Sequence, residues 1–317
     1  MSERKLISIT GGCYNEVDNI EELYDRCCEM MKEFPQYDFE FLFCDNYSTD
    51  GTRDVIRRLA AKDKRVKAIF NAANYGHIRS PFHGFMQASG DAVISMCTDL
   101  QDPPEKIAEM IREWEKGAKV VICVREKTEC SFLMERCRRL YYALLQKSSH
   151  EQTVISGFTG FGLYDRSFME ALKLFKEPYP YFRGLVSEIG LKRVELPFVQ
   201  PERKHGVTKN NFFTLYDMAM TGFVNHTKMP LRLAVFSGVL IGFASLLVAL
   251  VYLVLKLVYW NTFSFGMAPL MIGLFFFSAV QLIFIGIIGE YIGAIWTQVK
   301  NRPLVIEEER INFDKES

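Results

Sequence analysis

From Lys5 onward the chain alternates short apolar runs with amphipathic stretches. KLISITGG (5–12), FEFLFCD (39–45), VKAIFNA (66–72), DAVISMCTD (91–99) and KVVICVRE (119–126) read as five strands. FEFLFCD is nearly continuous in its apolar content, the pattern of a strand covered on both faces of a parallel sheet. Between the strands lie helical stretches such as NEVDNIEELYDRCCEMMKEF (15–34), with Asn15 or Asp18 as the expected cap, and STDGTRDVIRRLAAKD (48–63). Strands and helices in this alternation predict an α/β domain with a mainly parallel sheet and right-handed crossovers.

The pattern changes after residue 228. Leu233–Leu255 holds no charged residue and, as a helix, spans roughly 34 Å, enough for a bilayer core of about 30 Å. Met267–Gly289 is a second uncharged stretch, with Gln281 its one strongly polar residue. Both read as transmembrane helices. Lys228 and Arg232 precede the first, and Lys300 and Arg302 follow the second, while the connector WNTFSFGMAP has no Lys or Arg. The positive-inside bias therefore places both termini in the cytoplasm, with Lys256 snorkelling at the span edge. Tyr259, Trp260, Tyr291 and Trp296 suit interfacial anchors, and Glu290 falls near the inner end of span two. Two further amphipathic stretches suit either the membrane surface or the core of the soluble domain. The first, 132–147, has Phe132, Cys137, Leu140 and Leu144 on one face; the second, 210–228, has Phe212, Leu215, Met218 and Phe223. The expected partition is a soluble domain over 1–208, an interfacial helix over 209–230, spans over 231–258 and 267–296, and a cytoplasmic tail over 297–317.

Composition narrows the function. Lys plus Arg is 38 and Asp plus Glu is 38, a balance that argues against nucleic acid as a partner. Apolar residues at 49% exclude a disordered chain. The eight cysteines form no C-x-x-C pair and no zinc spacing, and several lie in strand-like runs, as reduced cysteines do. The N-terminus, MSERKLISITGG, has no signal-peptide core, so the first domain is expected to stay unexported.

Ligands of open α/β sheets bind beyond the carboxyl ends of the strands. Those ends carry Asn15 and Glu16, then Asp45, then Asn74, Gly76 and His77, then Asp99. Such a set suits a nucleotide and its cation; equally, Asp and Asn are ordinary turn and cap residues. No G-x-G-x-x-G follows the first strand, and neither a P-loop nor a G-x-S-x-G elbow occurs, which disfavours a dehydrogenase, a P-loop NTPase and an esterase.

The order and spacing of CYNEVDN, FCDNYSTDGT, ANYGH, QASGDAVI, TDLQDPP, PLRL and GIIGEYIGAIWTQVKNRPL resemble glycosyltransferase family 2. Within it they resemble the polyprenyl-phosphate branch, similar to dolichyl-phosphate mannose synthase, with two C-terminal spans. The resemblance covers nearly the whole chain. It implies a Rossmann-like, GT-A-type nucleotide-diphospho-sugar transferase domain followed by a transmembrane hairpin in a bacterial inner membrane. It also implies inverting transfer from a UDP- or GDP-linked sugar to a polyprenyl phosphate of the undecaprenyl or dolichyl type. By the same resemblance Asp45 contacts the donor base or ribose, and Asp99, with Gln101 as a further ligand, holds Mg²⁺ or Mn²⁺ on the donor diphosphate. Arg125, Arg139, Arg203 and Lys209 match positions near phosphate. Homo-oligomers, and partner enzymes that use the lipid-linked sugar for surface glycans, are further family expectations.

The chain departs from the family pattern around the donor. Cys97-Thr98-Asp99 stands where D-x-D is expected, Asp45-Asn46 where D-D is, and Gly160-Phe161-Gly162 where D-F-R is; Gly12-Cys13 displaces a proline. A lipid phosphate is ionised near neutral pH and needs no general base, so these losses are compatible with transfer. A sugar hydroxyl acceptor would need one, and only His77 or Glu188 is at hand. Three functions follow: the transferase, a catalytically weak homologue that binds nucleotide sugar or lipid as a partner subunit, and a processive synthase. The last is disfavoured by the absence of Q-x-x-R-W and by only two spans.

Overall fold

A computed structural model describes residues 4–126, 155, 157–175, 177, 179–201, 229–259, 267–300 and 302–313. The chain divides into two units, one of residues 1–217 with 300–317, the other of residues 218–299.

In the first unit, strands β1 (Leu6–Cys13), β2 (Asp38–Asp45), β3 (Val66–Asn71), β4 (Ala92–Cys97) and β5 (Val120–Arg125) fall where the apolar runs place them. Helices α1 (Ile20–Met31), α2 (Thr52–Lys62), α3 (Gly76–Met86) and α4 (Lys106–Glu115) lie between them. Each helix buries one stripe: Ile20, Leu23, Cys27, Met30 and Met31 on α1, and Ile107, Ala108, Met110, Ile111 and Trp114 on α4. Seven of the eight residues of β2 are buried, as its apolar run predicts. The exception in kind is Glu40, 4% exposed within that run. Its carboxylate is satisfied by Lys67 at 2.7 Å and by Ser8 and Ser89, which is how a charge persists in a buried strand.

The sheet order is β7-β5-β6-β4-β1-β2-β3-β8, where β6 is Phe158–Asp165, β7 Arg193–Phe198 and β8 Glu307–Ile311. β1, β2, β3 and β4 are mutually parallel, but β6 runs antiparallel between β4 and β5, and β8 runs antiparallel along β3. The sheet is thus mixed at both ends of a parallel centre. Two short helices, α5 (Arg166–Leu172) and α6 (Phe182–Glu188), precede β7.

Two expectations need correction. Neither Asn15 nor Asp18 caps α1: the cap position is Asn19, and no side chain bonds the first turn there. Asn15 instead takes a left-handed conformation at φ 58°. The stretch 297–317 is not simply a tail, because it supplies the edge strand β8.

The second unit contains α7 (Met229–Val258) and α8 (Met267–Val299), which continues past the expected boundary at 296. Pro230–Val258 and Leu270–Val299 are long and apolar enough to cross a membrane. At 29 and 30 residues they reach roughly 44 Å each, and their apolar side chains, among them Leu240, Phe243, Phe275 and Leu282, face outward. A soluble protein has no reason to expose so much hydrocarbon. The amphipathic stretches 132–147 and 210–228 lie outside the described residues.

Candidate functional site

Strand register builds the floor of the site. Cys13 of β1 pairs across to Asp45 of β2, and Gly12 pairs to Cys97 of β4. The ends of β2 and β4 therefore flank β1, about 10 Å apart by two strand spacings, with an acidic residue on either side.

On the β2 side, Asp45 is fully buried. Its Oδ2 accepts from Arg53 Nε at 2.6 Å and from the Ser48 amide at 3.1 Å. Its Oδ1 is buried and has no hydrogen-bond partner among the described residues. Around it the β1–α1 and β2–α2 loops are laced together. Asn15 N donates to Ser48 Oγ, Thr49 N to Asn15 Oδ1, Glu16 N to Thr52 Oγ1 and Val17 N to Asp50 Oδ2. Asn15 and Glu16 are thus brought to the site edge, with the Asn15 amide oxygen committed to the neighbouring loop.

Asn46 gives the missing acid of the D-D pair a physical reading. Its Nδ2 donates to Asn74 Oδ1 at 2.8 Å and to the Gly76 carbonyl at 3.3 Å, while its Oδ1 accepts from Tyr75 N at 2.8 Å. An aspartate could accept but not donate, so only the amide ties the β2 end to the loop that starts α3. Asn74 Oδ1 also accepts from Gly76 N, at 2.9 Å, so both predicted residues serve this turn.

On the β4 side, residues 97–102 fold back on themselves. Asp99 Oδ1 accepts from Gln101 N at 3.2 Å, Asp102 Oδ2 from Cys97 N at 2.8 Å, and Thr98 Oγ1 donates to the Gly12 carbonyl of β1. Leu100 sits at φ 62°, a left-handed conformation costly for a branched side chain. Asp99 is 6% exposed and Asp102 1%. Burial lifts the Asp102 carboxyl to about 6, with Asp99 adding to the rise while the Cys97 N–H bond and Arg125 oppose it. The Asp102 charge and then desolvation push the Cys97 thiol well above its ordinary value. By surface area Cys97 is exposed, so the Asp102 charge is the larger of the two causes, and a soft sulfur is in any case a poor ligand for a hard cation.

Facing these acids is Arg125, the last residue of β5, within the electrostatic reach of Asp102, Cys97 and Asp99. Burial and the nearby Arg183 of α6 both lower its pKa against the pull of Asp102. Its Nε is buried without a partner among the described residues. His77, on the first turn of α3, is held below its usual value by desolvation and by the same Arg183. Arg183 thus lies within electrostatic reach of both His77 and Arg125, and this cluster of nitrogen donors is able to receive a multivalent anion. Glu188 lies exposed at the end of α6. Arg139, Arg203 and Lys209 lie outside the described residues.

Among the described residues, no group of three or more His, Cys, Asp or Glu side chains is gathered as an ion cage. Asp99 with the amide of Gln101 is a hard but sparse oxygen set. It fits a Mg²⁺ or Mn²⁺ ion that takes most of its ligands from a diphosphate and water.

The two glycines of Gly160-Phe161-Gly162 are demanded by the inserted strand. A Cβ at Gly162 would meet the Val121 carbonyl oxygen at 2.5 Å, and Gly160 has φ 110°. The residues missed from sequence are Asn46, Asp102, Arg53 and Arg183. Asp102 stands in the Q-D-P-P segment and was legible there; Arg53 and Arg183 carry no spacing signal.

Comparison with known proteins accords with this geometry. The signature described as Glycosyl transferase family 2 matches residues 11–172. The uncharacterized glycosyltransferase YkcC of Bacillus subtilis is 34% identical, covering 99% of this chain and 97% of that protein. The SfII prophage-derived bactoprenol glucosyl transferase of Shigella flexneri is 31% identical, covering 95% of this chain and 96% of that one. Among solved structures, a mannosyltransferase of Pyrobaculum calidifontis in complex with GDP-Man and Mn²⁺ is similar at 18% identity, covering 95% of this chain and 88% of that chain, with a TM-score of 0.48. On the signature and on relatives aligned over nearly its whole length, the chain belongs to glycosyl transferase family 2 and is a glycosyltransferase.

Proposed function

We propose that this glycosyltransferase moves a sugar from a nucleoside diphosphate sugar to the phosphate of a membrane polyprenyl lipid, with inversion at the anomeric carbon. The observation that carries the reading is the strand-end floor, with Asp45 on one side of β1 and Asp99 facing Arg125 on the other. The Shigella relative, named for action on bactoprenol, aligns over 95% of the chain, which includes both apolar helices and supports a lipid acceptor.

In this reading the donor nucleoside lies over the β2 end, where the loop 46–50 yields to let a base N–H or ribose hydroxyl reach the unpartnered Asp45 Oδ1. The diphosphate lies over β4 near Asp99 and Arg125. Asp99 and Gln101 would hold a divalent cation, which when bound would supply charge neutralisation for the leaving diphosphate. Arg125 supplies a further cation there, its buried Nε free to donate as negative charge develops. The lipid phosphate, already ionised, attacks from the face opposite the diphosphate; one displacement inverts the centre, and no side chain has to take a proton. Arg139, Arg203 and Lys209 are assigned to the phosphates of acceptor and donor. The two apolar helices cross the bacterial inner membrane with both termini cytoplasmic, which keeps the site beside a water-soluble nucleotide and a lipid headgroup.

The test is transfer of labelled sugar into the organic phase by the full-length protein, given polyprenyl phosphate, a panel of UDP- and GDP-sugars, and Mg²⁺, Mn²⁺ or chelator. Cation-dependent labelling from one donor is the expected result. Asp99→Ala abolishes it, and Cys97→Asp preserves or raises it by restoring a hard ligand. Full activity of Asp99→Ala overturns the cation assignment. Cys97 in place of a hard carboxylate ligand favours one second reading, a catalytically weak homologue that binds nucleotide sugar or lipid; absence of labelling by folded protein from every donor selects it.

A further inference from the structure

Asp45 is held by an arginine that is itself held from the far end of the chain. Arg53 Nε donates to Asp45 Oδ2 at 2.6 Å, Nη2 to the Asn71 carbonyl at 2.6 Å, and Nη1 to Glu308 Oε2 at 2.8 Å. The guanidinium also lies near the rings of Tyr47 and Phe70, 5.3 and 5.2 Å from their centroids. Three directional bonds and two ring contacts leave this planar group little freedom.

Glu308 belongs to β8, which follows the second apolar helix, and its place in that strand is unusual. Along the antiparallel β3–β8 ladder, Phe70 pairs with Glu309 and Asn71 with Glu307, so the register shifts and Glu308 has no partner on β3. It is the extra residue of a β-bulge, a device that re-aims a side chain beside a functional site. The neighbours on either side make other pairs, Glu307 with His83 and Arg310, and Glu309 with Arg57 at 2.7 Å. Among the three, Glu308 alone reaches the arginine that holds Asp45.

We propose that Glu308, through Arg53, is a positioning residue for the donor nucleoside, so that the strand returning from the apolar helices forms part of the nucleotide site. This rests on the assignment of Asp45 to the donor given above. The Glu308 side chain is 55% exposed, so its ion pair contributes little to stability by itself. Its effect is geometric. With Glu308 fixing one edge of the fork, Nε stays on Asp45 Oδ2, and Oδ1 keeps its aim toward the donor. Without it, the guanidinium can rotate about its bond to Asn71, and the carboxylate turns with it.

The experiment is titration of full-length protein in detergent with UDP and, separately, with GDP, alongside thermal unfolding and the lipid-phosphate dependence of transfer. Glu308→Ala is expected to weaken binding of the recognised nucleotide by about 5-fold, the loss of one well-placed hydrogen bond, with the unfolding midpoint and the lipid dependence unchanged. Glu308→Gln, which still accepts from Nη1, recovers most of that loss. Glu309→Ala removes an ion pair of similar exposure on the same strand and leaves nucleotide affinity as it was. Arg53→Lys keeps the charge, loses the fork and reproduces the weakened binding. Wild-type affinity in Glu308→Ala overturns the proposal, as does an equal loss in Glu309→Ala, which would mark general docking of the strand. A wild-type chain that binds neither nucleotide overturns the donor assignment first and this inference with it, a result distinct from binding that the substitution leaves intact.

Discussion

At position 162 the family arginine meets a backbone that cannot receive it. The strand β6 passes so close to β5 that a Cβ at Gly162 would lie 2.5 Å from the Val121 carbonyl oxygen, with Ile122 Cα and the Tyr164 hydroxyl also within 3.2 Å. The carbonyl is committed to the ladder and cannot retreat as a flexible side chain could. Restoring the family residue by Gly162→Arg should therefore destabilise the first unit by about 3 kcal/mol, read as a fall of several degrees in its unfolding midpoint. A variant that melts with the parent would show that the strands part freely. From sequence, Gly160 and Gly162 register only as lost chemistry, because the approach of Val121 comes from a strand some forty residues away. Asn46 is the same lesson in another form: it reads as a weakened acid, and in the fold its amide both donates to Asn74 and accepts from Tyr75, which an aspartate cannot do.

Asp165 shows how one side chain joins several elements. It ends β6 and caps α5, accepting from Ser167 N at 3.0 Å, from Trp114 Nε1 of α4 at 2.8 Å and from Lys119 Nζ at 3.0 Å. Burial opposes its ionisation, yet the bonds from Ser167, Trp114 and Lys119 outweigh it and bring the carboxyl down to about 2. A depressed acid stabilises the fold above its unfolded value near 4, and the contribution is lost as pH falls from about 4 to about 2. After allowance for solvent near the Lys119 pair, Asp165→Asn should cost about 1 kcal/mol at pH 7, and parent and variant should converge near pH 2. Denaturant unfolding followed by tryptophan emission checks this, and a gap that persists at pH 2 would contradict it. The five strands β1 to β5 are legible because each is a compact apolar run. β6, written FTGFGLYD with two glycines, and β8, written EEERI, carry no such pattern. An edge strand tolerates charge on its solvent side, and the side chains that receive the glutamates of β8 lie on α2, α3 and β8 itself.

Over the whole molecule, the chain leaves the first unit, forms two long apolar helices, and returns to add β8 to the same sheet. A single unit thus contributes both flanks of the helical pair. If the flanking Lys and Arg set the orientation, a phosphatase reporter inserted in the connector 260–266 is active in the periplasm, and the same reporter fused after Ser317 is inactive. The reverse pattern would put the site on the wrong side for a cytoplasmic nucleotide. The α/β class, the central strands, the two apolar helices and the acids at the strand ends are all legible in the linear pattern of residues. These depend on local periodicity and on short spacings, which survive in one dimension. Only folding brings out which strand lies between β4 and β5, why glycine stands at 162, what Asn46 ties together, and how Glu308 reaches Arg53. Each of those is a contact between segments far apart in the chain, fixed by packing and hydrogen-bond satisfaction, which no local pattern encodes.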